Sequence, residues 1–271
     1  MTASNENRAI FITGGASGIG RAVAIFFAQR GWYVGISDVD MNGMEETLRL
    51  IGNDRATSYP LDVRDRQQWD TALAGFAEAT GGRIDVVFNN AGIGNGGPLV
   101  EQPEDELTSM LDINMKGVIF GAQASHKYLA ASAPGSVLLN TASLAGIIGA
   151  PGLAAYCATK WGVRGLTESL DAEWTEDGIK VAALCPGFID TPIIETTQGD
   201  SNQTVKEQLI ENGVEVLPVE TVPEIVWQAI HGDDLHYTVG KTASRLRFLQ
   251  RWMPGLVRKQ MRAQSADEIK I

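Results

Sequence analysis

Five short apolar runs, each about the length of a β-strand, constrain the fold more than any other feature of the sequence. They read AIFITG at 9–14, WYVGISD at 32–38, DVVFNNAG at 85–92, SVLLNTAS at 136–143 and IKVAALCPG at 179–187. Amphipathic, helix-like segments lie between them, at 18–30, 66–80, 103–131 and 152–176. Strands that are apolar on both faces are typical of a parallel sheet covered by helices on both sides. The alternating order predicts an α/β fold with a doubly wound, Rossmann-like parallel sheet in a single domain.

The composition of the 271-residue chain argues against several classes of function. No apolar run approaches the ~20 residues of a membrane-spanning helix, and the polar, acid-containing N-terminus lacks a secretory pattern, so we expect a cytoplasmic protein. The formal net charge of -11 argues against nucleic-acid binding by the protein as a whole. The two cysteines, Cys157 and Cys185, are expected in the core, and no metal site is predicted.

Two segments depart from the repeating pattern. Residues 187–218 are the predicted substrate loop, and the polar part at 194–218 predicts a mobile insertion with at most a short helix. Residues 241–262 contain seven basic and no acidic residues, so the remainder of the chain carries -11 minus 7, or -18. We assign residues 1–240 to the Rossmann-type domain and residues 241–271 to a basic, amphipathic C-terminal extension.

The basic extension also repeats apolar residues at helical intervals. These are Leu246, Leu249, Met253, Leu256 and Val257, and Pro254 predicts a break into two helices. Such an element can cover the substrate cleft, join a subunit interface or make a peripheral contact with an anionic membrane, in that order of preference. It can equally dock on its own domain with its charges in water.

A glycine-rich turn, TGGASGIG at 13–20, follows the first predicted strand. Gly14, Gly18 and Gly20 leave room for backbone N–H groups to approach a pyrophosphate at the start of a helix. The spacing differs from G-x-G-x-x-G, and the absence of the Lys-Ser/Thr pair of a P-loop disfavours nucleoside triphosphates. The alternative is tight packing of a helix on a strand.

Asp38 ends the second predicted strand, twenty residues after Gly18. A carboxylate here can accept hydrogen bonds from both adenosine-ribose hydroxyls and would repel the extra phosphate of NADP. No Arg or Lys stands next to it in the sequence, so NAD is the predicted cofactor. Alternatively, Asp38 caps the helix that follows, although Asp40 can do this instead.

Tyr156 and Lys160 stand four positions apart in AAYCATKWGV, residues 154–163. In a helix this spacing places both side chains on one face. A nearby ammonium favours phenolate and lowers the pKa of a phenol from about 10 toward neutrality. Tyr156 would then serve as a general acid/base for an alcohol or carbonyl. A solvated surface pair is the alternative.

These features make the chain resemble the short-chain dehydrogenase/reductases over nearly its full length, up to about residue 240. The matching pieces are TGGASGIG at 13–20, Asp38, Asp62 with Val63, NNAG at 89–92, Asn114, Ser143, Tyr156 with Lys160, and PGFIDT at 186–191. The resemblance implies a homotetramer or homodimer that uses NAD(H) to interconvert a secondary alcohol and a ketone.

The resemblance also implies which residues bind the cofactor. Asp62 and Val63 would hold the adenine, Lys160 the nicotinamide ribose, and Ile189 with Thr191 the nicotinamide amide. The implied cofactor-binding set is Gly14, Ser17, Gly18, Ile19, Gly20, Asp38, Asp62, Val63, Asn90, Ala91, Gly92, Tyr156, Lys160, Pro186, Gly187, Ile189 and Thr191. Asn90 and Gly92 also suit a simple polar turn, and Pro186 with Gly187 can merely end a strand.

The predicted catalytic set is Asn114, Ser143, Tyr156 and Lys160. Ser143 can donate a hydrogen bond to the substrate oxygen, or it can cap a helix. By family analogy Asn114 holds a water that links Lys160 to solvent; otherwise it is an exposed helix residue. This chemistry requires no metal.

The predicted substrate contacts are mostly apolar and indicate an alcohol or ketone with hydrophobic substituents. They are Ser143, Leu144, Leu153, Tyr156, Phe188 and Ile193, with Ile147 and Ile194 nearby, although the apolar members can also pack into the core. The competing hypotheses are an NADP-preferring or steroid-directed relative and a non-catalytic dinucleotide-binding sensor or scaffold.

Overall fold

The computed structural model describes residues 8–52, 54–195 and 203–268, the last five of them by their backbone alone. The strands are β1 (Ala9–Thr13), β2 (Tyr33–Asp38), β3 (Ala56–Pro60), β4 (Val86–Asn89), β5 (Ser136–Thr141), β6 (Ile179–Pro186), β7 (Phe188–Ile189), β8 (Val216–Leu217) and β9 (His236–Val239). The α-helices are α1 (Gly18–Gln29), α2 (Met41–Ile51), α3 (Arg66–Ala79), α4 (Glu104–Leu111), α5 (Gly117–Ser132), α6 (Ala154–Glu173), α7 (Val205–Glu211), α8 (Val222–His231), α9 (Lys241–Trp252) and α10 (Pro254–Glu268).

Seven strands form one parallel sheet in the order β3-β2-β1-β4-β5-β6-β9. The chain builds outward from β1 to β3 and then returns to the other side of β1 to place β4. Helices cover both faces, so the predicted doubly wound, Rossmann-like single domain is confirmed. A separate two-stranded sheet pairs β7 with β8.

Alternate residues of β1 supply the two main cores. Ile10 and Ile12 pack with Phe27 of α1 on one face of the sheet, whereas Phe11 packs on the other face against Trp69 and Phe76 of α3. All of these side chains are at most 1% exposed. Burial on both faces explains why β1 reads as an unbroken apolar run.

The five predicted strands are present as β1, β2, β4, β5 and β6, but the prediction missed two strands of the main sheet. These are β3 and β9, which lie at its two edges. Their sequences, ATSYP and HYTV, mix polar and apolar residues because an edge strand is not enclosed on all sides. A continuous apolar run therefore does not mark them.

The long helix predicted at 103–131 contains a π-helical turn at Asp112–Lys116, between α4 and α5. Within the predicted insertion, α7 is the short helix, and it begins with a capping box of Thr204 and Glu207. The predicted mobility of the insertion falls partly on residues 196–202, which lie outside the described residues.

The C-terminal extension forms α9 and α10, which meet at Met253 and Pro254, as the proline predicts. Ala243 and Val257 are buried against the domain, in a cluster that includes Leu144, and Leu246 packs beside them. One face of this extension thus docks on its own domain, which is one of the alternatives that the sequence left open. Among the described residues, no helix combines the length and the apolar character needed to cross a membrane.

Candidate active site

The predicted site residues gather at the edge of the sheet where the parallel strands end. Gly14 follows β1, Asp38 ends β2, Asn90 follows β4, and Ser143 follows β5. Pro186 ends β6. In open α/β sheets, the ligand crevice lies at this edge, where the strand order reverses.

The glycine-rich turn is so tightly packed that its glycines lie against neighbouring backbone atoms. Gly14 and Gly18 have φ angles of 70° and 51°, which side chains other than glycine adopt poorly. A methyl group on Gly14 would lie 3.0 Å from Ala91 Cα, and one on Gly20 would overlap the carbonyl oxygen of Gly14. α1 begins here, after Ser17, and has no acidic residue in its first turn. The turn therefore fits the phosphates of a dinucleotide.

Ser17 and Ile19, the remaining predicted residues of this turn, differ in exposure. Ser17 is exposed at the N-cap of α1 and makes no side-chain cap hydrogen bond. Ile19 is half-buried and packs against the core beneath the turn. The hydroxyl of Ser17 is therefore not used to cap α1.

The carboxylate of Asp38 braces the same turn. One oxygen accepts a hydrogen bond from Ala16 N at 3.1 Å, and the other accepts from Val39 N at 2.8 Å and Asp40 N at 3.1 Å. The cap of α2 is Asp40, whose side chain accepts from Gly43 N. The alternative in which Asp38 caps this helix is therefore wrong.

Asn90 and Ala91 are fixed to β1 by a threonine that the sequence prediction missed. Thr13 Oγ1 accepts from Asn90 N and Ala91 N, each at 3.0 Å, and Asn90 Nδ2 donates to Thr13 O at 3.0 Å. Thr141 Oγ1 donates to Asn90 Oδ1 at 3.3 Å. Asn90 thus joins the ends of β1, β4 and β5 beside the crevice. The sequence signal for Thr13 would have been a threonine that ends a strand just before a glycine-rich turn.

Asp62 and Val63 follow β3 and already have protein partners. The Asp62 carboxylate lies 2.6 Å from Arg64 Nη2, and hydrogen bonds from Arg64 lower the pKa of Asp62 below its usual value. Val63 is buried, and its carbonyl accepts from Trp69 Nε1 at 3.1 Å. The backbone of Asp62 is also engaged, since its N–H donates to Gln68 Oε1 at 2.8 Å and its carbonyl accepts from Asp65 N at 2.9 Å, and a role at an adenine stays a prediction.

Tyr156 and Lys160 lie on one face of α6, directed at the strand ends. Lys160 Nζ lies 5.6 Å from the ring centre of Tyr156 and donates to Thr141 O at 3.0 Å. Lys160 is only 3% exposed. The surface-pair alternative is therefore wrong.

Ser143 connects this pair to the end of β5. The Ser143 hydroxyl lies close enough to Tyr156 to lower the pKa of the phenol, and its Oγ accepts from Ala145 N at 3.1 Å. The second contact caps a short 3-10 helix at Leu144–Gly146. The capping alternative for Ser143 is thus present, whereas its hydrogen bond to a substrate oxygen stays a prediction.

Burial shifts the pKa values of both ionisable groups toward their neutral forms. Burial raises the pKa of Tyr156, although the hydrogen bond with Ser143 acts in the opposite direction. Burial also lowers the pKa of Lys160 to about 8. The sequence-based expectation that Lys160 lowers the pKa of Tyr156 below 10 is therefore not met in this structure, because desolvation of the phenol is the largest effect on its pKa.

Asn114 lies in the π-helical turn and is fully buried, so the alternative of an exposed helix residue is wrong. Its Oδ1 accepts from Ile93 N at 2.9 Å and its Nδ2 donates to Ile93 O at 2.8 Å. A methyl group on Gly92 would lie 3.1 Å from Asn114 Oδ1 and 3.5 Å from Lys160 Nζ. Gly92 thus keeps the space between the amide and the ammonium open.

The residues after β6 approach the glycine-rich turn from the other side. Gly187 N donates to Val239 O at 3.1 Å, and Thr191 Oγ1 donates to Ile189 O at 3.2 Å. A methyl group on Gly18 would lie 3.2 Å from Thr191 Cγ2. Thr191 and Gly18 therefore border the same space.

The predicted substrate residues divide into two groups. Leu144 and Ile147 are buried in the core cluster beneath the C-terminal helices, so packing accounts for both of them. Ile193 instead borders the site. A methyl group on Gly94, a position the prediction missed, would lie 3.2 Å from Ile193 Cδ1 and 3.7 Å from Tyr156 Cε2.

The remaining apolar candidates and the cysteines are placed as follows. Leu153 is half-buried at the N-cap of α6, and Phe188 is half-buried in β7. Ile194, by contrast, is 7% exposed. Cys157 and Cys185 are buried as predicted. Within the part of the chain that the structure describes, no cluster of three His, Cys, Asp or Glu side chains could hold a metal ion.

Comparison with known proteins fixes the family. Residues 8–202 match the family model for short chain dehydrogenases, which is more than half of the chain. The chain is a short-chain dehydrogenase. It is therefore an oxidoreductase of a dinucleotide-binding family, and the glycine-rich turn described above agrees with this.

Individual relatives of this short-chain dehydrogenase cover most of its length. It is 34% identical over 210 residues to the L-2,3-butanediol dehydrogenase of Corynebacterium glutamicum, covering 76% of this chain and 81% of that protein. It is 34% identical over 208 residues to the 3-oxoacyl-(acyl-carrier-protein) reductase FabG of Thermotoga maritima, covering 75% and 83%. The crystal structure of the 3-ketoacyl-(acyl-carrier-protein) reductase of Brucella melitensis, complexed with NADH, superposes with a TM-score of 0.77 at 27% identity, covering 87% and 98%.

Proposed function

We propose that this short-chain dehydrogenase interconverts a secondary alcohol and a ketone with NAD(H), and that Tyr156 is its acid/base. The observation that carries the proposal is the cluster of Tyr156, Ser143 and Lys160 at the ends of the strands, beside a turn that fits a dinucleotide. The bound nicotinamide supplies or accepts the hydride. The protein residues bind the substrate oxygen and move its proton.

Tyr156 holds the proton that the reaction transfers. Because burial raises its pKa, the phenol is protonated at neutral pH and can donate to the oxygen of a ketone during reduction. Ser143, which lies beside the same phenol, can donate a second hydrogen bond to that oxygen and stabilise its developing charge. In the direction of oxidation Tyr156 must first lose its proton, so oxidation should accelerate as the pH rises.

Lys160 and Asn114 would return the proton to solvent. A pKa of about 8 lets Lys160 exchange a proton near neutral pH more readily than an ordinary lysine does. The space beside Gly92 lies within hydrogen-bond reach of both Asn114 Oδ1 and Lys160 Nζ. A water there could join them, as the family resemblance implies.

NAD rather than NADP is the proposed cofactor because of the charge of Asp38. Its carboxylate lies at the end of β2 and would repel a ribose phosphate. The nearby cation Arg21 is directed at the carbonyls of Ala16 and Gly43 and at Thr47. The relative complexed with NADH is consistent with this choice.

The proposed substrate is a small, largely apolar alcohol or ketone. Ile193 and Tyr156 border the same space beside Gly94, the half-buried Leu153 and Phe188 are further apolar candidates, and the relatives' names refer to a diol and to an oxoacyl group. A homotetramer or homodimer in the cytoplasm completes the proposal.

A screen of secondary alcohols and ketones with NAD(H) and NADP(H), followed by the absorbance of reduced nicotinamide, tests this function. We expect Tyr156→Phe to lower kcat by about 10²- to 10⁴-fold and to leave NADH binding within about twofold. Tyr128→Phe, a change of the same kind on α5 away from the site, should leave kcat unchanged. Full turnover by Tyr156→Phe would refute the mechanism.

A further inference from the structure

The outward face of the C-terminal helices exposes a set of large apolar side chains. Phe248, Trp252, Met253 and Leu256 are 61%, 66%, 45% and 50% exposed, respectively. Phe248, Trp252 and Leu256 follow one another at intervals of four residues, so the exposed side chains succeed one another along α9 and into α10. We call these four residues the C-terminal face.

The C-terminal face does not contribute to docking on the domain. Ala243 and Val257 are buried, and Leu246 and Leu249 pack with them, so the inward side of the helices holds them in place. Phe248 and Trp252 lie outside this packed side, so their apolar surface is in water and does not stabilise the fold.

Cations surround the C-terminal face. Arg245, Arg251, Arg258, Lys259 and Arg262 are exposed, and Arg251 lies 5.6 Å from the ring centre of Trp252. Among the side chains that the structure describes, no cation of residues 241–263 lies within 4.0 Å of a carboxylate, although the chain has 33 acidic residues. These charges are therefore available to an external anion.

We propose that the C-terminal face binds an anionic lipid surface. Interfacial helices place Trp, Phe and Leu at the level of the headgroups and Arg or Lys beside the phosphates. Residues 241–262 hold seven basic and no acidic residues, so pairing this face with the same face of a second copy would bring cations against cations. Charge complementarity therefore favours an anionic lipid surface over a second copy of the chain.

The bound membrane would lie beside the substrate side of the molecule. Thr242, at the start of α9, donates to Glu215 Oε2 from its backbone N at 3.2 Å and from its hydroxyl at 2.9 Å. Glu215 precedes β8, which pairs with β7 at Phe188 and Ile189. An apolar substrate could thus pass from the lipid to the site without crossing much water.

Flotation of the full chain with lipid vesicles tests the proposal. We expect binding to vesicles with about 30 mol % phosphatidylglycerol, and at least about tenfold weaker binding to phosphatidylcholine alone. Raising the salt from about 0.05 M to about 0.5 M should release the protein, since the Debye length shortens. No binding to the anionic vesicles at low salt would overturn the proposal.

Variants locate the contact. The double variant Phe248→Ser/Trp252→Ser should lower vesicle affinity at least about tenfold while activity and oligomer size stay unchanged. Val100→Ser removes an apolar side chain that is 93% exposed elsewhere and should bind like the wild type. If the double variant binds equally well, or if it splits an oligomer, the face has another role and the lipid proposal fails.

A charge variant tests the same contact independently, in case the double variant has a folding defect. Arg251→Glu should weaken binding about fivefold or more, because each basic residue near an anionic surface contributes about that factor. Lys127→Glu, the same change at an exposed position on α5, should have much less effect. A blue shift of fluorescence on vesicle binding that disappears in Trp252→Phe would support insertion of this side chain, and its persistence would count against it.

Discussion

The cofactor end and the catalytic end of the site are built in different ways. At the cofactor end, short polar side chains fix the backbone: Thr13 accepts from the amides of Asn90 and Ala91, and Asp38 accepts from Ala16. At the catalytic end, Lys160 is almost completely buried, and its Nζ hydrogen-bonds a backbone carbonyl. The cofactor end is thus a backbone held rigid by hydrogen bonds, and the catalytic end is a set of buried ionisable side chains.

The difference has an energetic consequence. Backbone amides that find partners stabilise the fold, whereas a buried ammonium that pairs with no carboxylate among the described residues destabilises it. The catalytic end therefore lowers the stability of the fold while it provides reactive groups, as functional sites commonly do. Substitutions should separate the two ends by whether they change activity or stability.

Lys160→Met should give the largest effect and should act on activity. We expect kcat to fall by about 10²-fold or more, since the group that exchanges the proton is lost. The free energy of unfolding at pH 7 should not fall, because a neutral side chain of similar length replaces a buried charge. Enzyme assay and denaturant unfolding of the same samples check both statements.

The same variant has a signature in the dependence of stability on pH. The pKa of Lys160 is about 8 in the folded chain, against 10.5 for an ordinary lysine. Between these values the unfolded state binds more protons, so the free energy of unfolding of the wild type should gain up to about 3 kcal/mol as the pH rises. A gain of equal size in Lys160→Met would contradict the assignment.

Gly20→Ala should act on stability and on cofactor binding together. Its methyl group would overlap the carbonyl of Gly14, and the rigid turn cannot yield without moving Asn90. We expect a loss of about 3 kcal/mol in the free energy of unfolding. Gly165→Ala is the matched control, because its methyl group meets no atom within 4 Å in α6, and it should stabilise the protein by about 0.5–1 kcal/mol. Equal effects of the two changes would show that the turn is not tightly packed.

Asp38→Ala should change cofactor preference by a smaller amount. We expect the ratio of kcat/KM for NAD over NADP to fall about 10- to 100-fold, since a repulsive charge is removed. Asp40→Ala, two positions away, removes only the cap of α2 and should cost about 1 kcal/mol of stability with no change in that ratio. A wild type that already prefers NADP would contradict the ribose assignment.

The periodic features of the sequence were sufficient to predict the centre of the fold but not its edges. Strands enclosed on both faces, such as β1 and β5, must be apolar throughout and can be recognised locally. The edge strands β3 and β9 carry no such requirement, and they went unrecognised. Similarly, the apolar repeat of the C-terminal extension indicated one helical face, whereas the structure shows a docked face and a separate exposed one.

Part of the site was also beyond the reach of local patterns. The π-helical turn buries Asn114 against Ile93, and the 3.6-residue periodicity of the surrounding helix gave no sign of it. Thr13 and Gly94 acquire their contacts from segments far along the chain, so neither stood out. Each of these positions depends on a neighbour that only folding supplies.

The sequence alone determined the order of the five central strands, the glycine turn and the common face of Tyr156 and Lys160, because each depends on residues within a few positions of one another. Only the tertiary structure decided the protonation of that pair. Desolvation comes from elements distant in sequence that close around Lys160, and it moves the pKa of the ammonium down and that of the phenol up. Spacing brings the two groups together, but the surrounding protein sets their charge.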